Sequence, residues 1–304
     1  MRATNNEIIK LLREGSGISQ KEMAEALHME PRTYSRIENG TREIRLWEFL
    51  ALMEVAGKFT EDWWILYLES KEYGDYAAYR EIKRLLRIGK HKEAREMLAK
   101  LGEGLPSKHP FILQFVTFVD IFTSKEMSHE DALKGLLEAI KMSKKDFDES
   151  KLSKYRLTYN EIFLLIALAT RLCQMGQSDR AIILYEAMIE GRENANTSAE
   201  DRGTLLPPML FNLSNLLKKS GRLKEALKYN NMAREMCIEH NNMRLIPRIL
   251  CNIAKCYHKM EEEESVYKAY FIRAYHSAYA IGDNEAGILI KKYAEELGIT
   301  DCFS

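Results

Sequence analysis

The 304-residue chain is 46% hydrophobic and 30% charged, and its 45 basic side chains equal its 45 acidic ones. This is the composition of a soluble globular protein long enough for about two domains. Five cysteines, an odd number without a CxxC pair, indicate neither a disulfide framework nor a zinc site. The N-terminus MRATNNEIIK lacks an apolar signal region, and the longest apolar run, residues 162–169, is too short to cross a bilayer. A reduced, cytoplasmic chain without membrane contact is expected. It is expected to be all-α, because helix formers dominate and only six prolines and sixteen glycines interrupt them.

Residues 1–57 read as one domain of short helices. NNEIIKLLREG places Ile8, Leu11 and Leu12 on one face and ends at a glycine. In GISQKEMAEALH, Ser19 followed by Glu22 is a capping box, with Met23, Ala24 and Leu27 pointing inward. Pro31 suits the first position of the next helix, in which Tyr34 and Ile37 share the buried face while Arg32, Thr33, Ser35 and Arg36 stay outside. Asn39-Gly40 stops that helix. Two short helices, a tight turn and a small Ala24 at their crossing make a helix-turn-helix.

The segment ISQKEMAEALHMEPRTYSRIENGTR strongly resembles the Xre/lambda-repressor family of helix-turn-helix domains. The resemblance implies that Gln20 and Asn39 hold phosphates of double-stranded operator DNA. It also implies that Pro31, Arg32, Thr33 and Arg36 meet base edges. Physically, an α-helix fits the major groove and arginine can fork onto guanine, while amides and free N–H groups at a helix start suit phosphate. Residues 1–57 carry eight Lys/Arg against nine Asp/Glu, so a strongly basic footprint is absent. Residues 31–45, with four arginines and two glutamates, are locally positive, and Arg42 joins the DNA-facing candidates. Three positions depart from the family pattern. His28 stands at a turn position usually held by glycine, Glu30 caps where serine is common, and Tyr34 is bulky where Val or Ile is usual.

FTEDWWILYLESKEYGDY (59–76) is the connector, with a linker helix expected over 58–72. Trp63, Trp64, Leu66 and Tyr67 surround more than one of its faces and read as core. From residue 73 to 304 a unit of two helices recurs about five times. Its signature is a glycine at the inter-helix turn and an alanine five positions on: Gly89/Ala94, Gly176/Ala181 and Gly221/Ala226. Looser copies surround Ala132 and Ala139, and Ala269 and Ala274. The first helix of a unit has its own leucines, at 165, 168 and 172 or at 210, 213 and 217. This resembles the tetratricopeptide repeat, which implies a right-handed α-solenoid. The alanines 94, 132, 181 and 226 lie further apart than the usual repeat length, so helices are extended or loops enlarged, and residues 191–208 are read as such a loop.

Stacked helix pairs leave a concave face lined by the first helix of each pair. Opposite the packed leucines stand Phe211, Asn212 and Asn215, and in the next unit Arg248, Asn252 and Lys255. Asparagine is a poor helix former, but its carboxamide offers donor and acceptor together and can hold an extended peptide's backbone. A helix-turn-helix joined to such repeats resembles the RRNPP family of peptide-pheromone receptors, closest to its PlcR-type members. KHKEAREML…KHPFILQF, GRLKEALKYNNMARE and AKCYHKMEEEE look like segments of that group. The resemblance implies a quorum-sensing regulator that binds a short re-imported signal peptide, works as a homodimer and thereby changes operator binding. It also places Asn212 on the peptide backbone; Thr170 stands where a second asparagine is common.

Two alternatives stay open: an Xre-type regulator with a protein partner or no ligand, and a repeat protein that dephosphorylates or sequesters a response regulator. No nucleophile motif, phosphate loop or metal-ligand spacing appears, so no enzyme, cofactor or metal is expected. His129-Glu130-Asp131 has no second histidine in register, and Glu261–Glu264 read as a solvated turn.

Overall fold

A computed structural model describes residues 5–57, 70–87, 89–102, 110–124, 126–191, 199–299 and 303, and these are helical with no strand among them. Two compact units emerge, one running to Leu184 and including Gly191, the other formed by Tyr185–Glu190 and the described residues from Ala199 on. The connector residues Trp63, Trp64, Leu66 and Tyr67 lie outside the described residues; the helix that follows begins at Ser70.

The first unit opens with α1 (Asn5–Gly15), α2 (Gln20–Ala26), α3 (Pro31–Glu38) and α4 (Leu46–Val55). The Ser19 hydroxyl accepts from Glu22 N–H at 3.2 Å and the Glu22 carboxylate accepts from Ser19 N–H at 2.8 Å, the reciprocal cap that the sequence indicates. Met23, Ala24, Leu27, Tyr34 and Ile37 form the core between α2 and α3. His28 takes φ 53°, a left-handed turn conformation that histidine tolerates better than branched residues do. Asn39 ends α3 as expected, with Gly40 at φ 70°.

Two local expectations are corrected. Glu30 precedes α3 without a side-chain capping bond, so Pro31 and backbone geometry alone start that helix. On α1 the inward residues are Ile9 and Arg13, whereas Leu11 is 63% exposed. Leu12 is half-buried, so the inward stripe runs through Ile9, Leu12 and Arg13 and not through Leu11; the Ile8 side chain lies outside the described residues.

The same unit continues with α5 (Ser70–Arg87), α6 (His91–Gly102), α7 (Pro110–Thr123), α8 (His129–Ser143), α9 (Tyr159–Gln174) and the start of α10 (Ser178–Glu190). The second unit holds the end of α10, then α11 (Ala199–Lys219), α12 (Leu223–Glu239), α13 (Ile246–Lys259), α14 (Glu264–Ala280) and α15 (Asn284–Glu295). Neighbours pack as pairs, α5 on α6, α7 on α8, α11 on α12 and α13 on α14. Gly89, Gly176 and Gly221 have φ of 77–80° in open space, so it is the backbone angle, not crowding, that requires glycine. Ala94, Ala132, Ala139, Ala181, Ala226 and Ala274 are fully buried, while Ala269 is only partly so.

Residues 199–208, expected as loop, are helix. α11 starts at Ala199 and carries Pro207 and Pro208 inside it. Leu205, Leu206, Met209 and Leu210 are buried on this stretch, and that apolar burial outweighs the helix-breaking tendency of the prolines. At its start, Gly203 lies against His240, where an added Cβ would meet the ring's Cγ at 2.4 Å. A further turn of the repeat type escaped the sequence pattern. Gly282 (φ 76°) is followed five positions later by Gly287 instead of alanine, because a Cβ there would strike the Tyr279 ring at 2.5 Å.

Candidate functional site

The helix-turn-helix presents Pro31, Arg32, Arg36 and Asn39 on the open side of α3, with Thr33 half-buried beside them. Neither arginine forms an ion pair among the described residues, so both guanidinium groups remain available to an anion. The Asn39 amide donates to Ser35 Oγ at 3.3 Å. Thr41 donates through its hydroxyl to the Arg36 carbonyl at 3.1 Å, tying the loop to the end of α3.

Beneath this face lies a polar knot that sequence reasoning missed. Arg13 donates through Nε to Glu38 Oε1 at 2.5 Å and through Nη2 to Oε2 at 3.1 Å, and through Nη1 to the Ile18 carbonyl at 3.0 Å. Gln20 Nε2 donates to Glu38 Oε2 at 2.6 Å. Three helices are thereby pinned to one carboxylate. Burial alone would raise the Glu38 pKa, but the hydrogen bonds from Arg13 and Gln20 outweigh it and hold the group below the ordinary carboxylate range. Burial and the adjacent carboxylate push the Tyr34 phenol well above its usual value.

The knot changes two of the sequence assignments. Gln20 is exposed, yet its amide nitrogen already serves Glu38, so a phosphate contact must use the second N–H. Arg42 is not a free cation: its Nη2 donates to Glu48 Oε1 at 2.6 Å, while Glu48 Oε2 accepts from the Arg45 N–H at 2.9 Å at the start of α4. Arg42 thus braces the loop to α4.

The second unit contains a groove of about 390 Å³ between α11, α13 and α15. Of the sequence candidates, Phe211, Asn215, Arg248, Asn252 and Lys255 line it. Asn212 does not; its amide donates to Tyr185 OH at 3.2 Å. Thr170 belongs to the first unit and donates to the Ile166 carbonyl of its own helix at 2.9 Å.

The group at the centre of the groove is one the sequence reading passed over, Lys218. Its ammonium donates to Asn252 Oδ1, and to Asn215 Oδ1 at 3.3 Å. Asn252 is 3% exposed, and its amide nitrogen donates to Ser214 Oγ at 2.9 Å and Asn230 Oδ1 at 3.2 Å. It is therefore not an open clamp for a peptide but the support that aims an acceptor at Lys218. Asn215 donates to the Phe211 carbonyl at 3.1 Å and remains half-exposed. Lys255 sits 3.0 Å from the centroid of Tyr293, a cation–π contact. Burial, then the charge of Lys255, lower the Lys218 pKa to about 8; burial likewise lowers that of Lys255. A sequence signal existed. Phe211, Asn215 and Lys218 recur as Arg248, Asn252 and Lys255, each 37 positions later.

A helix-turn-helix with open arginines on its third helix, followed by helix pairs that enclose a polar groove, defines a DNA-binding domain joined to a ligand-binding repeat domain. Residues 9–64 match the helix-turn-helix family model HTH_3, and residues 83–281 match the RNPP family C-terminal domain. The chain belongs to the RNPP family, and so is a peptide-binding transcriptional regulator and not an enzyme. PlcR of Bacillus thuringiensis, solved with the peptide PapR7 and DNA, is 18% identical, covers 94% of this chain and 98% of its own, and superposes with a TM-score of 0.63. ComR of S. thermophilus, solved with DNA and its signalling peptide, is 17% identical with coverages of 97% and 100% and a TM-score of 0.55. The apo form of ComR from Streptococcus vestibularis is 14% identical, with coverages of 96% and 97% and a TM-score of 0.57. At these identities the likeness is one of fold. No curated protein matches the chain. No helix among the described residues is long and apolar enough to cross a membrane.

Proposed function

We propose that this protein is a cytoplasmic quorum-sensing regulator whose operator affinity is set by a short, re-imported signal peptide in the groove of its second unit. The observation that carries the reading is the pairing within one chain of an open, arginine-bearing α3 with a polar groove on first helices of the repeats. Arg32 and Arg36 read base edges in the major groove, with Pro31 and Thr33 beside them. Asn39 and the second N–H of Gln20 hold phosphates. Phe211, Asn215 and Arg248 contact the peptide directly, and Asn252 acts through Lys218.

One helix-turn-helix of this size gives modest affinity, so the working form is a homodimer on a pseudo-palindromic site whose half-sites lie about 34–36 Å apart. A peptide that touches α11, α13 and α15 favours whichever arrangement of those helices it fits. It shifts DNA binding only by as much as its affinities for two arrangements differ. That PlcR and ComR have been solved with both DNA and peptide supports this reading.

The test uses immobilised full-length protein and sheared genomic DNA of the source organism, with and without the small-peptide fraction of spent culture medium. Enrichment of a two-fold symmetric site whose recovery changes with the peptide fraction is the expected result. Recovery of DNA without sequence preference overturns the DNA assignment, and a symmetric site indifferent to every peptide fraction overturns the signalling one.

A further inference from the structure

We propose that the groove of the second unit captures a carboxylate of its peptide between the ammonium groups of Lys218 and Lys255. The inference rests on the reading of that groove as the peptide site, and adds the chemistry of what it selects. Two lysines and Arg248 line one groove, and none of the three has an ion-pair partner among the described residues. Removing ammonium groups from water without a counter-charge is unfavourable, and proteins ordinarily avoid it by pairing them. Here the chain instead supplies neutral partners: two amide oxygens for Lys218 and the face of Tyr293 for Lys255.

The support is deliberate in geometry. Asn252 is held from behind by Ser214 and Asn230, and Ser214 itself donates to Asn230 Oδ1 at 2.8 Å, so the acceptor facing Lys218 is fixed by two buried side chains on α11 and α12. An ammonium that donates to two amides keeps a third N–H for an incoming oxygen. A carboxylate restores the missing counter-charge and accepts from both lysines at once. Among the described residues the only carboxylate lining the groove is Glu285, at the start of α15, against Lys218, Arg248 and Lys255, which leaves the lining net positive; Glu296, just past the end of α15, acts on Lys255 without pairing with it.

The bound group is either the C-terminal carboxylate of the peptide or an Asp or Glu side chain. The other titratable groups around Lys218 are Lys255, Cys251, Cys256 and Lys259 from α13, with Arg248 of α13 and Glu285 and Tyr293 of α15 lining the groove. Lys218 is the group that changes charge near neutrality, at about 8, so carboxylate capture weakens as pH rises through that value.

The experiment measures retention of a synthetic random heptapeptide library by the full chain, in three forms. One has free C-terminal carboxylates but no Asp or Glu; one is C-terminally amidated with Asp and Glu included; one is amidated without them. The form lacking every carboxylate should be retained at least tenfold less than one of the others, and whichever of those is preferred identifies terminus or side chain. Lys218→Gln should abolish that preference, Lys255→Gln should reduce it, and Lys218→Arg should restore it. In the wild type the preference should fall between pH 6.5 and 9. Equal retention of all three forms overturns the carboxylate inference while leaving a peptide site standing. Retention of none overturns the peptide reading and this inference with it. A preference unchanged by both glutamine variants and by pH overturns the assignment to these lysines.

Discussion

The helix-turn-helix and the groove of the second unit each contain buried charge, and they treat it in opposite ways. Under α3, Arg13 and Gln20 converge on Glu38, so cation and anion neutralise each other and the remaining valences go to a backbone carbonyl. In the groove, Lys218 and Lys255 are half-buried beside amides and an aromatic face, without an ion-pair partner among the described residues. A closed knot holds its own elements together and needs no visitor. An open cationic cluster is more stable when something anionic arrives. The first arrangement fixes a DNA-reading surface; the second suits a ligand-responsive one.

The largest effect should come from breaking the closed knot. Glu38→Ala leaves the buried Arg13 with only the more exposed Glu14, 3.3 Å from its Nη2, as counter-charge, and removing the buried partner of such a pair typically costs about 3–5 kcal/mol. Amide hydrogen exchange should show α2 and α3 losing protection; near-native protection in the variant would mean that water reaches Arg13. The same knot predicts acid sensitivity. Since Glu38 titrates below its unfolded value, its contribution is complete above about pH 4.3 and is lost as pH falls through its folded value. Protection of α2–α3 should fall accordingly, and Glu38→Ala should lack that step.

Next in size is Asn252, whose amide sits in a buried network. Asn252→Ala removes a buried donor to Ser214 and Asn230 and an acceptor of Lys218, and should destabilise the second unit by about 1–3 kcal/mol in urea unfolding. Asn215→Ala, half-exposed and bonded to its own helix, should cost within about 0.5 kcal/mol while still weakening peptide binding. If the two variants unfolded alike, the division between supporting and contacting asparagine would fail.

Arg36→Ala should leave stability almost unchanged, because its side chain is exposed and forms no ion pair among the described residues. On the operator it should cost about 1–3 kcal/mol and relax one base position, the signature of a lost guanine contact. Binding lost evenly across all sequences would make Arg36 a phosphate contact instead.

The smallest expected effect tests the open cluster. The Lys218 pKa lies at about 8, below that of an unfolded lysine, so between those values the unfolded chain binds more protons. Stability of the second unit should therefore rise as pH increases from about 7.5 to about 9.5, and Lys218→Met should flatten the rise. An identical slope in both proteins would remove Lys218 as its source.

What the sequence by itself determined are features written in neighbouring residues. The Ser19–Glu22 cap, the inward Met23, Tyr34 and Ile37, the left-handed glycine turns and the buried alanines five residues after them depend on local geometry and period. Each is present in the structure. Only the tertiary structure decided the rest. Arg13 and Glu38 are 25 positions apart and look like any exposed helical charges until three helices converge. Pro207 and Pro208 carry a local signal for loop, and burial of the leucines around them overrules it. Asn212 and Asn215 are three positions apart, yet one bonds Tyr185 and the other enters the groove. Spacing says which residues share a helix face. Which neighbour that face meets, and whether a polar group there is satisfied or left open, depends on contacts between distant segments that no local pattern encodes.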